Sequence, residues 1–431
     1  MNEYRKETLA NGLRVVTVEM PHLHSAEMAC YVKVGGRNEE LATAGISHFL
    51  EHMIFRGTGD YPTSLELERA FEEIGGAVNA ATDAETTCYH SRLHPERIAE
   101  GAALFASMLR RPLLADLEIE RRIILEEALE DLNERGEEVN PDNLTARLLW
   151  PGHPLSLPTI GTRDSIRGIG PEDLRRYHAA YYTPENTVLV AAGPVRHEAI
   201  IAAAAQHFGD WQGAAVPATL LHPGSDGQGS PEAIWVHDSD SQVSVQFAFR
   251  LPGRQSPHAV SLRVLRRILS GGGTSRLMLR LRETLGLTYS IEANLSLFEE
   301  CGCFSIDFSV APENLTAATD EVLAVLTEIC REPVGEEELA RVVRSYLYDL
   351  DFSRDHADDM TVRYGWGELI GYLRTFDADR REIAGADAET LLAVARELFV
   401  PGALKVAFAG PFGAKDRKTV EKLLAGYRVG G

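Results

Sequence analysis

Apolar residues recur with two periods along this chain, every second residue in short runs and every third or fourth in longer ones. The two kinds of run come in blocks. Residues 13–20 (LRVVTVEM) and 28–36 (MACYVKVGG) combine alternation with β-branched residues ahead of glycines, which predicts two strands. A helical region follows and includes HFLEHMIF at 48–55. The same order returns later: AIWVHD (233–238) and SVQFAFRLPG (244–253) read as strands, and SLRVLRRILSGGG (261–273) as a helix running into a glycine turn.

Residues 171–195 (PEDLRRYHAAYYTPENTVLVAAGPV) and 388–412 (AETLLAVARELFVPGALKVAFAGPF) are recognisably one motif. Each is an amphipathic helix ending before a proline, Pro184 or Pro401, followed by an apolar strand that closes in Ala-Gly-Pro. Pro184 and Pro401, Gly193 and Gly410, and Pro194 and Pro411 all share the offset 217. Between the copies, residues 213–231 (GAAVPATLLHPGSDGQGSP) lack periodicity and have the composition of a linker. The expected organisation is therefore two duplicated domains, 1–212 and 232–431, joined by 213–231. Strands and helices are grouped rather than strictly alternating, so the fold class is α+β, each domain a mainly antiparallel sheet covered by helices. A chain of 431 residues has room for two such cores.

Within the first helical region, His48 and His52 lie one turn apart, about 40° around the helix, with Glu51 about 60° to the other side of His48. Two imidazoles at that spacing can hold zinc, and the carboxylate beside them can take a proton from water on the metal. The order H-x-x-E-H inverts the commoner H-E-x-x-H. The second half has arginines and no histidine in the comparable stretch, so only the first half can bind metal in this way. A third ligand is needed. The acidic segment LEIERRIILEEALEDLNE (117–134), read as a helix, offers Glu120, Glu126, Glu127, Glu130 and Glu134, with Ile123, Ile124 and Leu125 as its core anchors.

GISHFLEHMIFRGT, followed by the pattern E-R-x-x-x-x-x-E from Glu120 to Glu127, resembles the pitrilysin-type zinc peptidases, the group of insulin-degrading enzyme and the mitochondrial processing peptidase. The resemblance runs from TLANGLRVV at Thr8 to the last AFAGP and is closest to half-length bacterial members. It implies one Zn2+ per chain held by His48, His52 and Glu127, with Glu51 as catalytic base and Glu120 orienting a ligand without touching the metal. GGAVNAATDAETTCYHSRL (75–93) reads as a turn and an extended segment with Thr86, Thr87 and Tyr89 at strand positions, and the resemblance implies that this strand lies at the sheet edge near the metal. An extended peptide would add to that strand, with Asn79 and Ala80 near the scissile bond. In GGGTSRLMLRLRETLGLTYSI, Arg282 and Tyr289 match the Arg and Tyr that face the active site in this family. A guanidinium and a phenol suit a peptide carbonyl and its oxyanion. The function implied is a zinc metalloendopeptidase acting on unfolded peptides. Two domains make half of the family's closed chamber, which implies a homodimer in which Arg282 and Tyr289 serve the partner's zinc. A dedicated precursor-processing protease with a partner subunit, or a non-catalytic core-type scaffold, are the alternatives.

Charge and cysteine content narrow the setting. Asp plus Glu number 64 against 43 Lys plus Arg, a net charge of −21, which disfavours nucleic acid and would attract basic peptides into an enclosed cavity. No apolar run approaches membrane-spanning length and the first residues are charged, so no membrane association and a cytoplasmic location are expected. Five cysteines without a C-x-x-C pair suit a reducing compartment, and Cys301 and Cys303 are expected to be ordinary buried thiols.

Overall fold

The computed structural model describes residues 3–222 and 229–429; the part of the linker at 223–228 lies outside the described residues. In the first half, β1 (Arg5–Thr8), β2 (Arg14–Glu19), β3 (Ala26–Val32), β4 (Val78–Thr82), β5 (Thr87–Leu93) and β6 (Thr187–Gly193) form one sheet in the order β1-β2-β6-β3-β5-β4. Only the β2–β6 pair is parallel. In the second half, β7 (Glu232–His237), β8 (Val243–Pro252), β9 (Ile291–Leu297), β10 (Cys301–Val310) and β11 (Leu404–Gly410) are ordered β7-β11-β8-β10-β9, with β7–β11 as the parallel pair. Apart from β1 the two sheets have one topology, so the duplication read from the sequence extends to strand order. The α+β class with mainly antiparallel sheets is the one observed.

The conserved offset of Gly193 and Gly410 has a backbone cause. Gly193 ends β6 and Gly410 ends β11, both with positive φ, 135° and 146°. A Cβ on Gly193 would lie 2.8 Å from the Ala26 Cα, and one on Gly410 would lie 2.5 Å from the Gln242 carbonyl oxygen. Neither position admits a side chain.

The first sheet is covered by α1 (Ile46–Ile54), α2 (Ser64–Glu73), α3 (Ile98–Arg110) and α4 (Leu117–Glu127) among others. Met28, Cys30 and Val32 of β3 alternate onto the same buried face as Leu189 and Ala191 of β6, and meet Phe49, Met53, Phe71 and Phe105. Each fully buried phenylalanine or methionine there contributes about 2 kcal/mol through removal from water. This core is what holds α1 in place.

Two compact units are present, and they are not made by one cut in the chain. The first comprises Met1–Ala128, Leu157–Leu220 and Asp351–Thr375; the second comprises Leu129–Ser156, Leu221–Leu350 and Phe376–Gly431. Each half therefore lends a segment to the other's unit. In the second unit α5 (Pro141–Leu149) packs Leu144 on Ala407 and Ala409, and Gln246 Nε2 donates to Asp142 Oδ1 at 2.5 Å. In the first unit Thr361 Oγ1 lies 3.4 Å from Tyr31 OH, and Trp366 Nε1 donates to Thr86 Oγ1 at 3.2 Å. A sequence repeat reports which segments are alike, not which sheet a connecting segment covers.

Three local expectations need correction. The helix expected over 117–134 stops at Glu127, with Ala128 as its last cap. Beyond it the Asn133 side chain accepts from the backbone N–H of Arg135 and Glu137, a local turn that competes with helix. Ile123 is exposed, and of the expected anchors Ile124 alone is fully buried. Thr86 belongs to the turn of a β4–β5 hairpin, where its N–H and hydroxyl donate to Asp83, and not to a strand. The five cysteines form no disulfide among the described residues; Cys301 is buried and Cys303 partly so. No helix among the described residues is long and apolar enough to cross a membrane.

Candidate metal centre and active site

Helix α1 presents two faces. Phe49, Leu50, Met53 and Ile54 are buried in the core, which turns His48 and His52 toward α4. Its amino terminus is held by Glu39, whose carboxylate accepts from Gly45 N at 2.6 Å and Ser47 N at 2.9 Å. Burial pushes the Glu39 carboxyl up to about 7, against the pull of those hydrogen bonds. Helix α4 is fixed by Arg121, which donates to the Ile166 and Ile169 carbonyls and stacks over the Phe49 ring, 5.5 Å from its centre.

The two helices bring three donors together. His48 Nε2 and His52 Nε2 are 3.2 Å apart, and the Glu127 carboxylate oxygens lie 3.6 Å from the first and 3.7 Å from the second. His48, His52 and Glu127 offer ligand atoms all within 4.8 Å of one another, the one group of this kind among the described residues. A tetrahedron with zinc–nitrogen bonds of about 2.05 Å has edges of about 3.3 Å, so these separations suit zinc with one position left open. The donor set, two imidazoles and a carboxylate, is also right for zinc. Of the five glutamates offered by the acidic segment, Glu127 joins the histidines.

Glu120 lies between His52 and Arg56. Its Oε2 accepts from His52 Nδ1 at 3.0 Å, and Arg56 holds its other oxygen. With Nδ1–H engaged, the lone pair of His52 Nε2 is left for a metal. Burial disfavours a charged His52, but the hydrogen bond and charge of Glu120, with Glu51 and Glu127 nearby, outweigh it and raise its pKa. His48 moves the other way. Burial, helped by the neighbouring His52, lowers its pKa to about 4, so His48 is neutral and able to ligate over a wide pH range. Its Nδ1 is buried and has no hydrogen-bond partner among the described residues.

Glu51, the expected base, is buried beside this group, and burial is the main cause of its raised pKa. Its Oε2 accepts a hydrogen bond of 2.5 Å from Thr82 Oγ1, at the end of β4. Sequence reading did not single out Thr82, Glu39 or Arg56. For Thr82 a signal existed, since period-two alternation through VNAAT puts Val78, Ala80 and Thr82 on one face.

β4 is the terminal strand of its sheet and pairs only with β5. Asp83 N donates to Thr86 O and closes the hairpin, so 81 and 79 are the hydrogen-bonded positions that alternate back from the turn. The N–H and C=O of Val78, Ala80 and Thr82 consequently point to the open edge. Ala80 packs against the core cluster on the α1 side, whereas the exposed Asn79 pairs with His90 and directs its side chain to the opposite face. Arg282 and Tyr289 belong to the second unit. Arg282 lies on a π-helix, Met278–Thr284, with its guanidinium carbon 5.1 Å from the centre of the strongly exposed Tyr289 ring, so the two side chains are in contact.

Residues 14–163 match the family model described as Insulinase (Peptidase family M16), and residues 168–346 match the one described as Peptidase M16 inactive domain. A zinc protease of Mycobacterium tuberculosis is 33% identical over 419 residues, covering 95% of this chain and 94% of that one. The zinc protease YmxG of Bacillus subtilis is 27% identical over 404 residues. Among solved structures, a protease from Helicobacter pylori superposes with a TM-score of 0.88 at 22% identity, covering 95% of this chain and all of that one. The periplasmic protease PqqL from Escherichia coli superposes with a TM-score of 0.78 at 18% identity, and the match takes up 50% of its length. Fold and relatives are those of a peptidase. The chain belongs to the insulinase family, Peptidase family M16, as a half-length member.

Proposed function

We propose that this chain is a zinc-dependent endopeptidase that hydrolyses unfolded peptides bound as an extra strand on β4. The observation that carries this reading is the convergence of His48, His52 and Glu127, with Glu51 between them and an open strand edge. Zinc bound there would supply Lewis acidity and a water of lowered pKa. The chain's own groups do the rest. Backbone groups of Ala80 and Thr82 align the peptide, Glu51 receives the proton of the attacking water, and Glu51 returns it to the leaving amine. Recognition through backbone hydrogen bonds favours broad specificity. Arg282 and Tyr289 are suited to hold the substrate carbonyl and donate to its oxyanion. Since one chain carries both motifs, we place the working site in a homodimer that closes around its substrate.

The test is digestion of a mixed peptide library with and without chelator, with cleavage sites read by mass spectrometry. Cleavage should stop with chelator and return with zinc. Glu51→Gln should keep its zinc and lose about 100-fold or more in rate. A zinc-loaded Glu51→Gln protein that cleaves at the parent rate would overturn the reading.

A further inference from the structure

We propose that Thr82 is a positioning residue that ties the strand receiving the substrate to the catalytic base. The inference rests on the endopeptidase reading above and adds a role for one hydroxyl.

Two observations meet at this residue. Its side chain faces α1, where Oγ1 donates to Glu51 Oε2 at 2.5 Å. Its main chain faces the other way, with N–H and C=O on the open edge of β4, because the hairpin register makes it a non-hydrogen-bonded position opposite Thr87. One residue thus touches the substrate-binding edge with its backbone and the base with its hydroxyl. No other described residue donates a hydrogen bond to the Glu51 carboxylate. With Oε2 held, Oε1 is the oxygen left to take the proton.

The strand around Thr82 is itself anchored. The turn that follows is bound to the segment ahead of α1, with Gly36 N donating to Asp83 O at 3.1 Å and Arg37 N to Ala84 O at 2.9 Å. Beneath it runs the buried ion pair of Arg37 and Glu85. β4 is therefore seated on the stretch that leads into α1, and a strand held at both backbone and turn keeps the Thr82 hydroxyl at a fixed distance from Glu51. A peptide that pairs with the edge of β4 is thereby set against the same residue that orients the base.

The test compares Thr82→Val, which keeps the shape and loses the hydroxyl, with Thr82→Ser, which keeps the hydroxyl and loses the methyl. Loss of base alignment should lower kcat about 10- to 100-fold in Thr82→Val while KM stays within about twofold, and Thr82→Ser should recover most of kcat. A second readout uses the metal-free protein. The infrared carboxylate band that vanishes in Glu51→Gln should shift in Thr82→Val and return in Thr82→Ser. Thr82→Ala replaces Thr82→Val if the latter does not fold. An unchanged kcat with an unshifted band overturns the proposal, as does a Thr82→Ser protein impaired as far as Thr82→Val, which would assign the effect to the methyl group. Failure of the parent protein to hydrolyse any peptide would sink the endopeptidase reading instead, and the infrared comparison would still decide whether Thr82 holds Glu51.

Discussion

His52 Nδ1 lies 3.0 Å from Glu120 Oε2, and this contact decides which nitrogen of the ring faces Glu127 and His48. Burial alone would raise the Glu120 pKa, but the hydrogen bond to His52 and the charge of Arg56 more than offset it and keep the carboxylate ionised. A charged, buried acceptor strengthens the basicity of the ring it holds. Replacing Glu120 with Gln should therefore weaken zinc affinity by about 10- to 100-fold, measured by competition with a chromophoric chelator. Affinity equal to the parent's would show that the contact does not tune the ligand.

The metal-free protein should lose stability in mild acid through His48. Its folded pKa of about 4 lies below the ordinary value of 6.5, so between these values the unfolded chain binds a proton that the native state does not. Stability then rises with pH across that window, and is lost as pH falls from about 6.5 to about 4. Urea melts of metal-free parent and His48→Gln across this range should diverge in slope, the variant being flatter. Parallel curves would contradict the assignment.

Arg37 and Glu85 form a buried ion pair that seats the β4–β5 hairpin. Removing one partner of such a pair leaves the other charged and buried. Arg37→Ala should cost about 3–5 kcal/mol, read from urea denaturation. Arg37→Ala with Glu85→Gln should recover part of that loss. A cost below about 1 kcal/mol would mean that the pair is solvated in the working protein.

The proposed homodimer makes a quantitative prediction. If Arg282 of one copy serves the zinc of the other, an Arg282→Ala chain and a His48→Ala chain should complement each other. Random pairing of equal amounts makes half of the dimers mixed, each with one intact site, so about a quarter of the parent activity should return. No recovery with mixed dimers verified by native mass spectrometry would place a complete site within one chain.

What could be read from the sequence followed from short-range rules. Period-two and helical patterns and prolines that stop helices are set by backbone sterics within a few residues, and with the shared offset of Gly193 and Gly410 they identified two related α+β halves. His48, Glu51 and His52 were legible for the same reason, since helical spacing alone puts them together. Glu127 was not separable from its acidic neighbours by spacing, and its selection needed the packing of α4 on α1. The helix expected to run to 134 ends at Glu127, and beyond it the Asn133 side chain makes a local turn, a competition that periodicity does not register.

By itself, then, the sequence determined the class of fold, the duplication and the pair of histidines, all of which are set by local geometry. The tertiary structure decided which glutamate comes within reach of both histidines and that Glu120 contacts His52 Nδ1. It decided too that Thr82 reaches Glu51 and that each half lends a segment to the other's unit. Those relations join residues 31 to 330 positions apart, and only the packing of one buried core against the next brings such residues within hydrogen-bonding distance.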